Sequence, residues 1–146
     1  MILSPLPIRQ FMSPDPYCIE QDKFMTEAHR LMRQKRIRHL PVLSRGRVVG
    51  VVSAGDLHLL EGLAGVDPER VCVEDAMTPA PYCVRPDAPL DEVVDVMAGN
   101  KYGCAIVVEA ERIVGIFTTV DALEAFARVL RGELPLPAPR RRPEPT

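Results

Sequence analysis

Several things are missing from this chain of 146 residues, and each absence removes a class of function. No apolar run approaches the roughly 20 residues that a bilayer-spanning helix needs. The longest, around Val48–Val52 and Ala105–Val108, are much shorter. The opening Met1-Ile2-Leu3-Ser4-Pro5-Leu6-Pro7 has two prolines and no basic residue, so it is not read as a signal peptide. No strong net charge is present: the formal value is −2, so the whole molecule is not a basic nucleic-acid binder. The four cysteines, Cys18, Cys72, Cys83 and Cys104, form no Cys-x-x-Cys pair. That spacing predicts neither a disulfide framework nor a zinc site, but small buried hydrophobes in a reducing, cytoplasmic compartment. Catalytic signatures are absent too: there is no Gly-x-Ser-x-Gly, no His-Glu-x-x-His and no phosphate-cradling Gly-rich loop ending in Lys-Ser/Thr. His29, His39 and His58 all precede residue 60, and no pair of carboxylates is spaced for acid–base work. The expectation is a protein with no catalytic residues, no resident metal and no required cofactor.

What the chain does have is a repeat. Met12-Ser13-Pro14-Asp15-Pro16-Tyr17-Cys18-Ile19 returns as Met77-Thr78-Pro79-Ala80-Pro81-Tyr82-Cys83-Val84, an offset of 65. The alignment runs without a gap from Ile8–Leu59 onto Val73–Glu124, and 13 of its 52 pairs are identical. Such duplication predicts one body built from two related units, with function where the copies meet. The copies differ in charge. Residues 8–59 hold nine basic against five acidic side chains, a net of +4, and residues 73–124 hold three against ten, a net of −7. The copies should attract each other, and the first alone offers a cationic surface to an anion.

Each copy reads as β-α-β-β-α. A turn-rich lead-in carries Pro14 and Pro16, or Pro79 and Pro81, and a short apolar stretch follows. Leu90, Val93, Val94 and Met97 then fall on one helical stripe, echoed by Met25, Ala28 and Met32. Leu40–Leu43 with Arg47–Ser53, and Cys104–Glu109 with Arg112–Thr118, read as antiparallel hairpins rich in Val and Ile. A closing helix is predicted from about Ala54 to Glu61 and from about Thr119 to Leu130, with Leu123, Phe126, Ala127 and Leu130 as the apolar stripe of the latter. The fold class is therefore α+β, two pseudo-symmetric repeats packed sheet to sheet. The boundaries expected are an arm at 1–7, repeats at 8–61 and 73–131, a connector at 62–72, and a disordered Pro/Arg-rich tail at 132–146.

The repeated polar signal follows the last strand of each copy: Gly50-Val51-Val52-Ser53-Ala54-Gly55-Asp56 and Gly115-Ile116-Phe117-Thr118-Thr119-Val120-Asp121. Ser/Thr-x-x-Asp at a helix start is a capping box, and that alone could explain it. The same position also suits a ligand. First-turn N–H groups bind phosphate, a hydroxyl adds a donor, and a carboxylate matches the paired hydroxyls of a ribose. Small residues at Ala54 and Gly55 leave room for close approach.

Met-x-Pro in the lead-in, Arg38-His39-Leu40-Pro41-Val42 before the hairpin, and Gly-h-h-Ser/Thr-x-x-Asp at the exit, in order and twice, resemble the cystathionine-β-synthase (CBS) domain family. Two such units resemble a CBS pair, or Bateman module, and the likeness covers about Ile8 to Leu130. The resemblance implies a regulatory, signal-transducing module that binds adenosine nucleotides (AMP, ADP or ATP) in clefts between the repeats and transmits occupancy as a conformational change. It implies a ribose contact at Asp56 and Asp121, and a phosphate-facing hydroxyl at Ser53 and Thr118. Arg38 and His39 match a phosphate-reaching position, and Tyr17-Cys18-Ile19 and Tyr82-Cys83-Val84 match a base-lining strand. The second copy departs from the pattern at Tyr102-Gly103-Cys104-Ala105-Ile106, with no basic pair and no proline, so unequal clefts are expected. The resemblance also implies a homodimer and a downstream protein partner of unstated identity, with no membrane partner. A ligand-free scaffold for dimerisation or docking is the alternative, ahead of nucleic-acid binding by the basic face and Arg140–Arg142, and of redox sensing by Cys18 and Cys83.

Overall fold

The computed structural model describes residues 6–133; the remainder of the predicted tail, with Arg140–Arg142, and the first five residues of the predicted arm lie outside them. In chain order the elements begin with β1 (Ser13–Pro14), β2 (Ile19–Glu20), α1 (Met25–Lys35), β3 (His39–Ser44), β4 (Arg47–Ser53) and α2 (Ala54–Glu61). They continue with α3 (Val73–Ala76), β5 (Thr78–Pro79), β6 (Cys83–Val84), α4 (Leu90–Asn100), β7 (Cys104–Glu109), β8 (Arg112–Thr118) and α5 (Thr119–Leu130). The order β-α-β-β-α recurs as β2-α1-β3-β4-α2 and as β6-α4-β7-β8-α5. The α+β class read from the sequence is what the chain adopts.

Both hairpins are antiparallel and carry a bulge at the same repeat position, between Val42 and Leu43 and between Val107 and Val108. Their turns place two successive residues at positive φ, Arg45 and Gly46 (53° and 79°) and Ala110 and Glu111 (50° and 63°). That is the twist that a two-residue hairpin requires. Helices α1 and α4 both end on a left-handed residue, Arg36 and Lys101, at φ 55° and 59°. The parallel partners β2 and β6 return to the middle of the sheet through these helices.

The sheets reveal an exchange that the repeat pattern did not announce. The first has the order β2-β3-β4-β5 and the second β1-β8-β7-β6. Each lead-in strand thus adds to the sheet of the other copy: Pro14 lies opposite Gly115, and Pro79 opposite Gly50. The turns before those strands follow suit. Ile8 donates to the Ala88 carbonyl at 2.8 Å, and its counterpart Val73 donates to Lys23 at 2.7 Å. Among the described residues, one compact unit is Tyr17–Pro81, and the other joins residues 6–16 with residues 82–133. The units cut across the linear repeats because the open edges of β4 and β8 need backbone partners, and sequence proximity does not decide which strand supplies them.

Each unit has its own core. In Tyr17–Pro81 it gathers Ile19, Met25, Ala28, Met32, Leu40, Val42, Val52, Leu57 and Val73. In the other it gathers Ile8, Phe11, Val93, Met97, Ala105, Val107, Phe117 and Ala125. The α4 stripe behaves as its spacing predicts, with Val93 and Met97 buried. The α5 stripe does not. Asp121 and Ala125 turn inward, while Leu123, Phe126 and Leu130 stay 59–70% exposed. The capping box at the start of α5 fixes the roll of the helix with Asp121 underneath, and the apolar residues read as its core face end up outside.

Candidate functional site

The carboxyl end of the last strand in each unit delivers a hydroxyl and a carboxylate to the same place. Ser53 caps α2 and Thr118 caps α5, each in extended backbone just before the helix. In the first unit Asp56 Oδ2 accepts from the Ser53 N–H at 2.8 Å and from Ser53 Oγ at 3.0 Å, and the Asp56 N–H donates back to Ser53 Oγ at 3.2 Å. In the second, Asp121 Oδ2 accepts from the Thr118 N–H at 2.8 Å and from Thr118 Oγ1 at 3.1 Å, with the Asp121 N–H to Thr118 Oγ1 at 3.3 Å. Both sequence readings of the motif start from this geometry, and the capping box is the one it displays directly.

The boxes commit several groups that a ligand would use. The hydroxyl proton goes to the carboxylate in each. The first N–H of α2, at Ala54, goes to the Arg38 carbonyl at 2.9 Å, and that of α5, at Thr119, goes to Gly103 at 3.1 Å. What remains in the first turn are the exposed N–H groups of Gly55 and Val120. A side chain at Gly55 would meet only Ser53 Oγ, at 3.5 Å, so the approach there is open.

The carboxylates differ in their second oxygen. Asp121 is 7% exposed, and its Oδ1 accepts from Ser13 Oγ at 3.2 Å. Asp56 is half-buried, and no hydrogen bond to its Oδ1 is made among the described residues. Thr78, the repeat counterpart of Ser13, is exposed.

The other expected residues fall into two groups. Arg38 and His39 sit at the start of β3, with His39 directly opposite Ser53 in the ladder, so the structure brings them to the same sheet end as Asp56. Arg38 is exposed and His39 half-buried. The stretches Tyr17-Cys18-Ile19 and Tyr82-Cys83-Val84 serve largely as packing. Ile19 is buried in its core, and Tyr17 packs against it with Lys35 Nζ 4.9 Å from the ring centroid. Tyr82 and Val84 pack on the other core, and the Tyr82 ring stands 5.6 Å from that of Tyr102. Burial pushes the Cys18 thiol up to about 11, with Glu20 adding to the effect, and the Cys104 thiol up to about 12, with Cys83 adding. Burial also raises Cys83. Held this high, the Cys18 thiol carries almost no thiolate at neutral pH, which speaks against redox sensing there. Against the expectation of four buried cysteines, only Cys104 is buried and Cys83 is exposed. Ser13 is the residue that sequence reasoning missed. It belongs to the lead-in of one copy but serves the carboxylate of the other, and only the exchange of lead-in strands brings them together.

Among the described residues no His, Cys, Asp or Glu cluster could hold a metal ion, and no helix is long and apolar enough to cross a membrane. The CBS domain model matches residues 8–59 and 73–128. The chain belongs to the CBS domain family. It is 32% identical over 117 residues to the uncharacterized protein YlbB of Bacillus subtilis, covering 78% of both chains. A conserved, uncharacterized protein from Pyrococcus horikoshii has the same fold with a TM-score of 0.75 at 29% identity, over 87% of this chain and 96% of that one. CBSX2, solved in complex with AMP, has a TM-score of 0.74 at 26% identity, over 86% of this chain and 98% of that one. Four other curated relatives are enzymes, and the match spans only 14–32% of their length.

Proposed function

We propose that this CBS pair is a non-catalytic regulatory module of the cytoplasm that binds an adenosine nucleotide and passes its occupancy to a partner protein as a conformational change. Asp56 and Asp121 accept the ribose hydroxyls, Ser53 and Thr118 face the phosphate, and Arg38 and His39 draw that phosphate to the Asp56 side. The observation that carries the reading is Asp56 itself. It is a carboxylate fixed at a helix start with one oxygen uncommitted, beside an open glycine and a basic pair, in a chain similar to CBSX2, which was crystallised with AMP.

The test is thermal melting of the chain with AMP, ADP and ATP against inorganic phosphate. An adenosine ligand at ten times its Kd stabilises by about 1.4 kcal/mol, and phosphate alone should do far less. In calorimetry, 2′-deoxy-AMP should bind about tenfold more weakly than AMP, since one charge-assisted hydrogen bond to the carboxylate is lost. Melting temperatures indifferent to every adenosine ligand would remove the nucleotide reading and leave the scaffold.

A scaffold reading is favoured by one observation, the outer face of α5. Val120, Leu123, Phe126 and Leu130 are 57–70% exposed on one side of the helix. The matching positions of α2 that align with Val120, Leu123 and Phe126 are Gly55, His58 and Glu61, so the fold itself does not call for apolar residues there. The occupant argued for is α5 of a second copy, antiparallel. Glu124 flanks the stripe on the same side as Arg128 and Arg131, and flanks on one side face each other across an antiparallel two-fold pair. Sedimentation should show a dimer that Leu123→Glu with Phe126→Glu converts to monomer. Arg128→Glu with Arg131→Glu should weaken it, and high salt should lessen the contribution of those charges. A monomeric wild-type chain at tens of micromolar would remove this surface from consideration.

A further inference from the structure

We infer that Ser13 is a lock on the second carboxylate, so that the two halves of the pair bind a diol-bearing ligand in a fixed order, Asp56 first. This inference rests on the nucleotide reading and specifies its regulation.

The two capping boxes are the same to within 0.1 Å in each of their three distances. Helix geometry therefore does not distinguish the sites. The difference is one hydroxyl. Ser13 Oγ reaches Asp121 Oδ1 at 3.2 Å in a buried setting, so both oxygens of that carboxylate are already accepting. A ribose needs both of its hydroxyls met by acceptors, and in this buried setting it has to compete with Ser13 for Asp121 Oδ1, whereas nothing competes for Asp56 Oδ1 among the described residues. Asp56 has no such bond, because Thr78 occupies the equivalent place in the other unit with an exposed side chain. Serine and threonine both carry the hydroxyl, so comparing the sequences does not expose the asymmetry.

The strand that holds Ser13 has the geometry of a latch. β1 is only two residues long and adds to the edge of β8 through Ser13 opposite Ile116 and Pro14 opposite Gly115. It is followed by Asp15 at φ 47°, whose N–H donates to the Val114 carbonyl at 3.1 Å. A short edge strand offers few ladder bonds and opens at lower cost than a central one. Release of Ser13 therefore needs a local shift of β1 or a rotation of the Ser13 side chain, without unfolding of the unit. Occupancy at Asp121 would then be linked to movement of the lead-in segment, which occupancy at Asp56 would leave in place.

The experiment is titration calorimetry of the full chain with AMP, using wild type, Ser13→Ala, Ser13→Thr, Asp56→Ala and Asp121→Asn, each checked for folding by circular dichroism. The wild type should show one tighter site per chain. Asp56→Ala should remove it, and Asp121→Asn should leave it within about twofold. Ser13→Ala should strengthen the weaker site tenfold or more, toward two comparable sites, while Ser13→Thr, which keeps the hydroxyl, should behave as wild type. Should Ser13→Ala fail to fold, the contrast among wild type, Asp56→Ala and Asp121→Asn decides the order by itself. Two equal sites in the wild type, a tight site that follows Asp121, or a folded Ser13→Ala indistinguishable from wild type would each overturn the lock and leave the nucleotide reading standing. Silence of all variants toward AMP and toward ATP would overturn both.

Discussion

Asp121→Ala should lower the stability of the free chain by roughly 2–4 kcal/mol, and Asp56→Ala by only about 1 kcal/mol. The two residues occupy the same repeat position and make the same capping box, so a sequence argument assigns them equal cost. Their surroundings do not. Removing the Asp121 carboxylate takes the acceptor from the Thr118 N–H and Thr118 Oγ1 in a buried place and removes the contact with Ser13 Oγ as well. Hydroxyls can re-aim, but a backbone N–H cannot, and water has little access where Asp121 and Thr118 are 7% and 6% exposed. Around the half-buried Asp56, water can replace the carboxylate, leaving little more than the usual loss of a helix cap. Denaturant melts of both variants without ligand make the comparison. Equal losses would mean that the Ser13 contact contributes nothing. On the proposed nucleotide reading, the same asymmetry divides roles, with Asp121 mainly a structural anchor in the free chain and Asp56 the readier acceptor.

Gly50→Val should cost about 3 kcal/mol, the upper end of the usual range for overpacking. A Cβ at Gly50 would overlap Met77 Sδ and lie 2.9 Å from the Thr78 carbonyl oxygen. A methionine side chain can swing away, but a backbone carbonyl in a strand pair cannot, so the substitution presses directly on the β4–β5 pairing. Gly115→Val overlaps Met12 Sδ with no backbone atom among its nearest neighbours, so it should be the milder of the two. Chemical denaturation of both variants tests the ranking. Loss of stability in Gly115→Val but not in Gly50→Val would contradict the packing described for the lead-in strands. Both glycines repeat at the offset of 65, and so do the methionines above them. The Met-x-Pro of one copy thus packs against the glycine of the other copy's final strand.

That crossing shows where linear reading stops. Local signals are legible along the chain. Val-rich runs around Ser44–Gly46 and Ala110–Glu111 predicted hairpins, and Cys104–Glu109 and Arg112–Thr118 are the strands observed. Ser/Thr-x-x-Asp predicted helix starts at Ala54 and Thr119, where α2 and α5 begin. These features arise from bonds among residues a few positions apart, so the information lies within a short window. The roll of α5 departs from its apolar stripe because Asp121 is buried. A charged side chain enters an interior when its hydrogen bonds are met, and here they are met by Thr118 and Ser13.

The repeat, the β-α-β-β-α order of each copy, the family and the two hydroxyl–carboxylate pairs were all present in the order of residues alone, because periodicity and motif spacing are written along the chain, whereas the lead-in strands β1 and β5 and the short helix α3 were not. Only the tertiary structure decided which lead-in strand completes which sheet, and therefore that Ser13 reaches Asp121 while Thr78 leaves Asp56 open. Edge pairing joins residues 103 positions apart at Ser13 and Ile116 and 29 apart at Gly50 and Pro79, and its outcome depends on which unpaired backbone lies nearest in space, a quantity that no local pattern encodes.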